Sequence, residues 1–157
     1  MYLKIVSKKS LLKLLSSLII NYKMKKNITI LPAEWHKQAF VQLTWPHEDT
    51  DWNYILGEVE KFYVKIAEEI ARRQKLIIVC RDAMKVKSMI NSTYFNNISF
   101  FSIDSNDTWA RDHGGITVLE KEKPVIKDFC FNGWGKKFNA EKDNLIIKNY
   151  SMKNISD

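Results

Sequence analysis

Cysteine, glycine and proline are all scarce in this 157-residue sequence, which holds two Cys, five Gly and three Pro. Two thiols, Cys80 and Cys130, cannot build a disulfide framework, and they fit a reducing, cytoplasmic setting. So little Gly and Pro excludes a collagen-like repeat or a low-complexity linker. No apolar run reaches the roughly 18 residues that would span a bilayer. Metal-ligand spacings such as HxxxH or CxxC do not occur, so neither a metal nor another cofactor is expected. What is plentiful is apolar (45%) and charged (27%) side chain, a balance that excludes disorder. The length suits one domain and hardly two.

Acid is also missing from one region. The first 26 residues hold seven lysines (Lys4, Lys8, Lys9, Lys13, Lys23, Lys25, Lys26) and no Asp or Glu. From position 27 onward the 18 remaining basic residues balance 18 acidic ones, so the formal charge of +7 belongs to the N-terminal extension. A nucleic-acid-binding domain would carry its basic surface on the folded body. No nucleic-acid or membrane partner is therefore expected of the body itself.

Three readings compete for residues 1–23, a basic and apolar stretch. Translation starting at Met24 explains the sharp change of composition there. An amphipathic surface helix fits the leucines recurring at helical spacing with lysines between them. A secretory signal fits least, because Lys13 interrupts the apolar stretch and no small-x-small cleavage site follows Ile20.

In the body, residues 28–31 predict a short strand. Val41–Trp45 predicts another that stops at Pro46. Asp49, Thr50 and Asp51 offer N-caps to a long helix from near Trp52 to about Arg73. Its stripe is Trp52, Ile55, Leu56, Val59, Phe62, Ile66 and Ile70. Leu76–Cys80 is an unbroken apolar run and predicts a buried strand. A shorter helix is expected over 82–91, with Met84, Val86 and Met89 partly inward. Ile98–Ile103 predicts a strand running into Asp104-Ser105-Asn106-Asp107. Strands at 116–119 and 125–131 are joined by the charged turn Glu120–Lys123, and the chain turns irregular from Asn132. This alternation predicts an α/β fold with both mixed and antiparallel pairing.

The segment Asp104–Gly115 (DSNDTWARDHGG) is the most informative. An acid-rich loop after an apolar strand puts carboxylates at the strand's end, where α/β sites usually lie. Asp107 and Asp112 near the Trp109 indole suit a flat organic cation. Carboxylates pair with a guanidinium through two hydrogen bonds, and an aromatic face adds cation–π attraction. Arg111 neutralises one acid or meets a substrate carboxylate. The alternative is a capping loop whose aspartates satisfy local backbone N–H groups.

Four motifs occur in order: Pro32-Ala33-Glu34-Trp35, Thr44-Trp45-Pro46-His47, Asn106-Asp107-x-Trp109-x-Arg111-Asp112-x-Gly114, and Phe131-Asn132-Gly133-Trp134-Gly135-Lys136. Their order and spacing over about residues 30–148 resemble the agmatine deiminases. That family sits with the bacterial peptidylarginine deiminases in the guanidine-modifying, pentein-fold superfamily. The resemblance implies a partial pentein, an α/β propeller of which this chain supplies about two of five ββαβ-type modules. It also implies a guanidinium substrate, agmatine above all, hydrolysed to N-carbamoylputrescine and ammonia in putrescine biosynthesis. Asp112 would grip the guanidinium, and Trp109, Asp107, Arg111 and Trp45 would contribute to the substrate pocket. The chemistry asks for a thiolate nucleophile, favoured by the bound cation, and a His acting as general acid and then activating water.

The family places its catalytic His mid-chain and its catalytic Cys in a later Gly-rich segment, and neither segment is recognisable here. Cys80 and Cys130 lie in apolar contexts and are expected to be buried structural thiols. His113 neighbours Asp112 but falls where the family does not place its general acid. The expectation is an N-terminal fragment (24–148, with a non-family tail over 149–157), inactive alone and prone to self-association through an exposed module face. A peptidylarginine deiminase fragment, and a subunit completing a site with another chain, are the alternatives. A binding protein acting through the basic first 26 residues ranks last.

Overall fold

A computed structural model describes residues 28–153 together with Lys13 and Ser16. Apart from those two positions, the readings of residues 1–23 and of a start at Met24 lie outside the described residues. In chain order the strands are β1 (Thr29–Ile30), β2 (Phe40–Thr44), β3 (Lys75–Cys80), β4 (Ile98–Ser102), β5 (Ile116–Glu120) and β6 (Lys123–Lys127). The helices are α1 (Leu56–Ala71), α2 (Ala83–Met89), α3 (Ala110–His113), α4 (Gly133–Lys136) and α5 (Ile146–Lys153).

The described residues form two compact units. The smaller comprises residues 28–35 and 116–127, with the antiparallel sheet β1-β5-β6. Its hairpin pairs Glu120 with Lys123, so Lys121 and Glu122 alone make the turn. Both have positive φ (52° and 66°), the sense that matches the right-handed twist of the flanking strands. Lys127 and Glu120 pair across the hairpin at 2.5 Å.

The larger unit, residues 36–115 and 128–153, is built on the parallel sheet β2-β3-β4. Strand β3 is central, which explains its unbroken LIIVC run: both faces are covered. Leu76, Ile78 and Cys80 face one side, with Ala67 and Ala71 of α1 and Val86 of α2. Ile77 and Val79 face the other, with Ile103 and with Ile146, Ile147 and Tyr150 of α5.

Three expectations are corrected here. The inward stripe of α1 runs through Glu60, Tyr63, Val64, Ala67, Ile70 and Ala71, while Phe62 and Ile66 are exposed. Alanines let the helix sit close on the sheet, so small residues occupy the face that bulk alone assigned to Phe62 and Ile66. Neither Asp49 nor Thr50 nor Asp51 caps α1, which begins after a 3-10 turn with Ile55 at its uncapped N-terminus. Asp49 pairs with Arg81 instead, and the Thr50 hydroxyl donates to the His47 carbonyl at 2.7 Å. In α2, Val86 is buried but Met84 is exposed. Asp82 caps that helix, accepting from Met84 N and Lys85 N at 2.9 and 3.0 Å.

Because Ile146 is fully buried at the centre of the α5 face, Ile146→Ala should cost about 2–5 kcal/mol of stability. Urea unfolding measures this. A loss under 0.5 kcal/mol, to order of magnitude the level of a surface substitution, would mean that α5 does not hold the sheet.

Candidate functional site

The three parallel strands end side by side, and their carboxyl ends carry the polar residues. The ladder continues one step past the strands: Trp45 N–H bonds Val79 O at 2.8 Å, and Ile103 N–H bonds Cys80 O at 2.9 Å. Beyond it lie Pro46–Asp49, Arg81–Asp82 and the loop Asp104–Trp109, which leads into α3.

Arg81 joins these segments. It contacts Glu48 at 2.5 Å, Asp49 at 2.7 Å and Asp104 at 3.0 Å, and Lys142 meets Asp104 at 2.7 Å. Burial opposes ionisation of Asp104, but the hydrogen bonds and charges of Lys142 and Arg81 outweigh it and hold its carboxyl low.

Two histidines are buried beneath the loop. His47 accepts the Asp49 N–H on Nδ1 at 3.2 Å, which leaves Nε2–H to donate to the Ser105 carbonyl at 3.2 Å. His113 places Nε2 3.0 Å from Thr44 Oγ1 and Nδ1 3.9 Å from Asp143 Oδ2. Burial pushes both histidines below the usual imidazole value. Arg81 adds to this at His47, while Asp143, Asp107 and Asp112 oppose it at His113.

The loop is shaped by exchanged side chain–backbone bonds. Asp143 Oδ1 accepts Asn106 N–H at 2.7 Å and Asp107 N–H at 3.3 Å. Asn106 Oδ1 returns the favour to Lys142 N–H at 2.8 Å. Asn144 clamps Phe131 at both backbone groups, at 2.7 and 2.9 Å. Trp52 Nε1–H reaches the Thr108 hydroxyl at 3.0 Å.

The structure sorts the residues singled out from the sequence. Asp107 turns Oδ1 to its neighbour Thr108 N–H at 2.6 Å; burial first, then Asp51 and Asp143, push its carboxyl upward. That is the capping role, and Asp104 shares it by accepting the Ser105 N–H at 3.1 Å. Trp109 is half exposed, and Arg111 and Asp112 are exposed on α3, with no ion pair among the described residues. Trp45, just past the end of β2, is 2% exposed and edge-on to Tyr63 at 5.5 Å, and it lines a cavity with His47, Glu48 and Arg81.

Cys80 is buried as expected, its thiol pushed up to about 12 chiefly by burial. Cys130 is exposed, which corrects the expectation of a second buried thiol. Strand β6 ends at Lys127, so the segment carrying Phe129 and Cys130 never enters a sheet. Sequence reasoning missed Thr44, Asp143 and Asn144 as site-forming residues. Asp143 alone left a signal, as an acid placed just before a buried apolar pair. Among the described residues no cluster of three or more His, Cys, Asp or Glu could hold a metal, and no helix is long and apolar enough to cross a membrane.

Residues 30–156 match the family described as Porphyromonas-type peptidyl-arginine deiminase. The residues expected to form a non-family tail fall almost wholly inside that match, and Tyr150 is buried against Phe101. A Legionella pneumophila (strain Paris) protein named "Putative agmatine deiminase" is 29% identical over 119 residues, 74% of this chain and 34% of its own length. A C. jejuni agmatine deiminase structure with substrate bound is 30% identical with a TM-score of 0.73, over 83% of this chain and 38% of that one. A Porphyromonas gingivalis structure named "Putative Arginine Deiminase" is 47% identical with a TM-score of 0.72, over 80% and 37%. The chain thus spans about a third of the length of the curated relatives it matches, and its fold is a partial pentein.

Two measurements check the electrostatics. Cys130 should react with a thiol reagent in the folded protein, and Cys80 only after denaturation. His47 and His113 both titrate below their unfolded value, so below about pH 6.5 the unfolded chain takes up protons that the fold refuses. Unfolding free energy should therefore fall between pH 7 and pH 5; a flat profile would contradict two neutral buried rings.

Proposed function

Because the chain belongs to the Porphyromonas-type peptidyl-arginine deiminase family, we propose that residues 28–153 form the guanidinium-binding part of an agmatine deiminase. The observation that carries this reading is the division of labour among four acids. Asp104 is held by Arg81 and Lys142, Asp107 by Thr108, and Asp143 is buried under the loop. Of these four, only Asp112 keeps an exposed carboxylate without an ion pair among the described residues; Asp51, whose charge reaches Asp107, is exposed and likewise without an ion pair. It stands on a one-turn helix whose N-terminal neighbour is the half-exposed Trp109.

A guanidinium is planar, weakly hydrated and rich in N–H donors, so a free carboxylate beside an indole face suits it. Asp112 accepts two N–H bonds, and Trp109 covers the plane of the cation. The exposed Arg111 disfavours a second positive charge close by, which suits agmatine's separation of its amine from its guanidinium by a butyl chain. The reaction served is hydrolysis to N-carbamoylputrescine and ammonia, a step toward putrescine. A thiolate attacks the guanidinium carbon, ammonia leaves with a proton from a general acid, and water releases the ureido product.

This chain alone binds without turning over. The Cys80 thiol is buried and stays protonated at neutral pH, and the exposed Cys130 sits in an irregular segment with no described base bonded to it. The relatives carry roughly two thirds of their length outside the match, room enough for the nucleophile and the acid. Peptidyl-arginine remains a substrate to compare, since the matched family is described by it. Two free thiols fit a cytoplasmic setting.

Calorimetry of the chain with agmatine, and with an arginyl peptide, tests this. Agmatine binding should weaken roughly ten- to a hundredfold in Asp112→Asn, the range for losing a charge-assisted pair. Equal affinity in Asp112→Asn would reject the assignment. Ureido product formed by Cys80→Ala/Cys130→Ala chain would reject the division between binding and turnover.

A further inference from the structure

Helix α3 has four residues, too few to be stable by their own hydrogen bonds. Three of them are at least partly open to solvent, and His113 is 3% exposed. The helix is therefore held from below, and His113 is the residue that holds it.

The ring sits between two partners from distant parts of the chain. Thr44, at the end of β2, meets Nε2 at 3.0 Å, and Asp143, from the turn before α5, faces Nδ1 at 3.9 Å. Nδ1 and Asp143 Oδ2 are both buried and neither has a hydrogen-bond partner; at 3.9 Å they face each other without a hydrogen bond, so their interaction is electrostatic. An ionised carboxylate only accepts hydrogen bonds, so the pair attracts only when the hydrogen is on Nδ1. Nε2 then accepts from the Thr44 hydroxyl. His47, only a few residues from Thr44, shows the opposite arrangement, because the Asp49 N–H already occupies its Nδ1.

We propose that His113 is a positioning residue: as an Nδ1–H imidazole strung between Asp143 and Thr44, it fixes α3 and so sets where the Asp112 carboxylate meets a guanidinium. The inference rests on the functional reading of Asp112 given above. His113 itself touches no substrate, since its ring is enclosed. The charged groups facing it are Asp143 from the turn before α5, Asp107 from the loop and Asp112 from its own helix. Each of them favours a second proton on the ring, but burial outweighs them and the ring stays below the usual imidazole value. Asp143 also fixes the loop N–H groups of Asn106 and Asp107, so one carboxylate ties the loop and the helix to the same point.

The experiment uses the full chain labelled with 15N. Long-range proton–nitrogen correlations should show His113 as the Nδ1–H tautomer and His47 as Nε2–H, the internal control. Asp143→Asn keeps Oδ1 as acceptor for the loop and turns an amide donor toward the ring, so His113 should switch to Nε2–H. His113→Asn, checked for folding by its melting curve, should bind agmatine on the order of tenfold more weakly, the scale of one lost hydrogen bond. It should also lose amide-exchange protection at Asp112 and Gly114. An Nε2–H ring at His113 in the wild-type chain, or full agmatine affinity in folded His113→Asn, would overturn the proposal. If the wild-type chain binds no agmatine, the reading of Asp112 falls by itself. The tautomer and the α3 protection then decide positioning alone, and protection unchanged in His113→Asn overturns it.

Discussion

A carboxylate removed from water costs several kcal/mol unless donors meet it, and Asp143 is 1% exposed. The loop between β4 and α3 is arranged around that group. Two backbone N–H groups of the β4–α3 loop point at Oδ1, and the His113 ring faces Oδ2. A six-residue loop with five polar side chains would otherwise have many conformations of similar energy. The buried charge selects the one that brings its donors together.

Hydrophobic burial sets where that charge lies. Asp143 opens the turn Asp143–Leu145 that leads into α5, whose Ile146, Ile147 and Tyr150 pack on the face of the sheet formed by Ile77, Val79 and Ile103. Docking α5 therefore carries the carboxylate to the strand ends. On the opposite face, α1 and α2 close over Leu76, Ile78 and Cys80. The sheet is clamped from both sides, and its rigidity passes to Thr44 and so to His113. Packing, hydrogen bonding and the exposed Asp112 thus form one chain of dependence.

Local pattern made much of this legible. The central strand announces itself by an apolar run, the hairpin by a charged break, and the acid-rich loop by its place after β4. Partners far apart in sequence were not legible. Asp143 and His113 are 30 residues apart, and Thr44 lies 69 residues before His113, with nothing in either neighbourhood to link them. The same cause misled the cap of α1: Asp49 had an excellent local role, and Arg81, 32 residues away, outcompeted it. Bulk misled the stripe of α1, because alanines that permit close approach carry little weight in a hydrophobic pattern. Cys130 shows that an apolar neighbourhood buries a thiol only when the segment joins a sheet or helix.

The charges at the strand ends complete the logic. Arg81 draws in Glu48, Asp49 and Asp104, so most of the acid there is spent on holding segments together rather than on attracting a ligand. Exposed pairs of this kind contribute little stability singly, but a shared guanidinium fixes three segments at once. A site built this way separates two tasks that one acidic cluster would confuse. The structural acids are paired or buried, and they lose their freedom to bind anything else. Asp112 is left exposed and without an ion pair among the described residues, on a short helix whose buried face is His113, which is what the proposed cation-binding role asks of it.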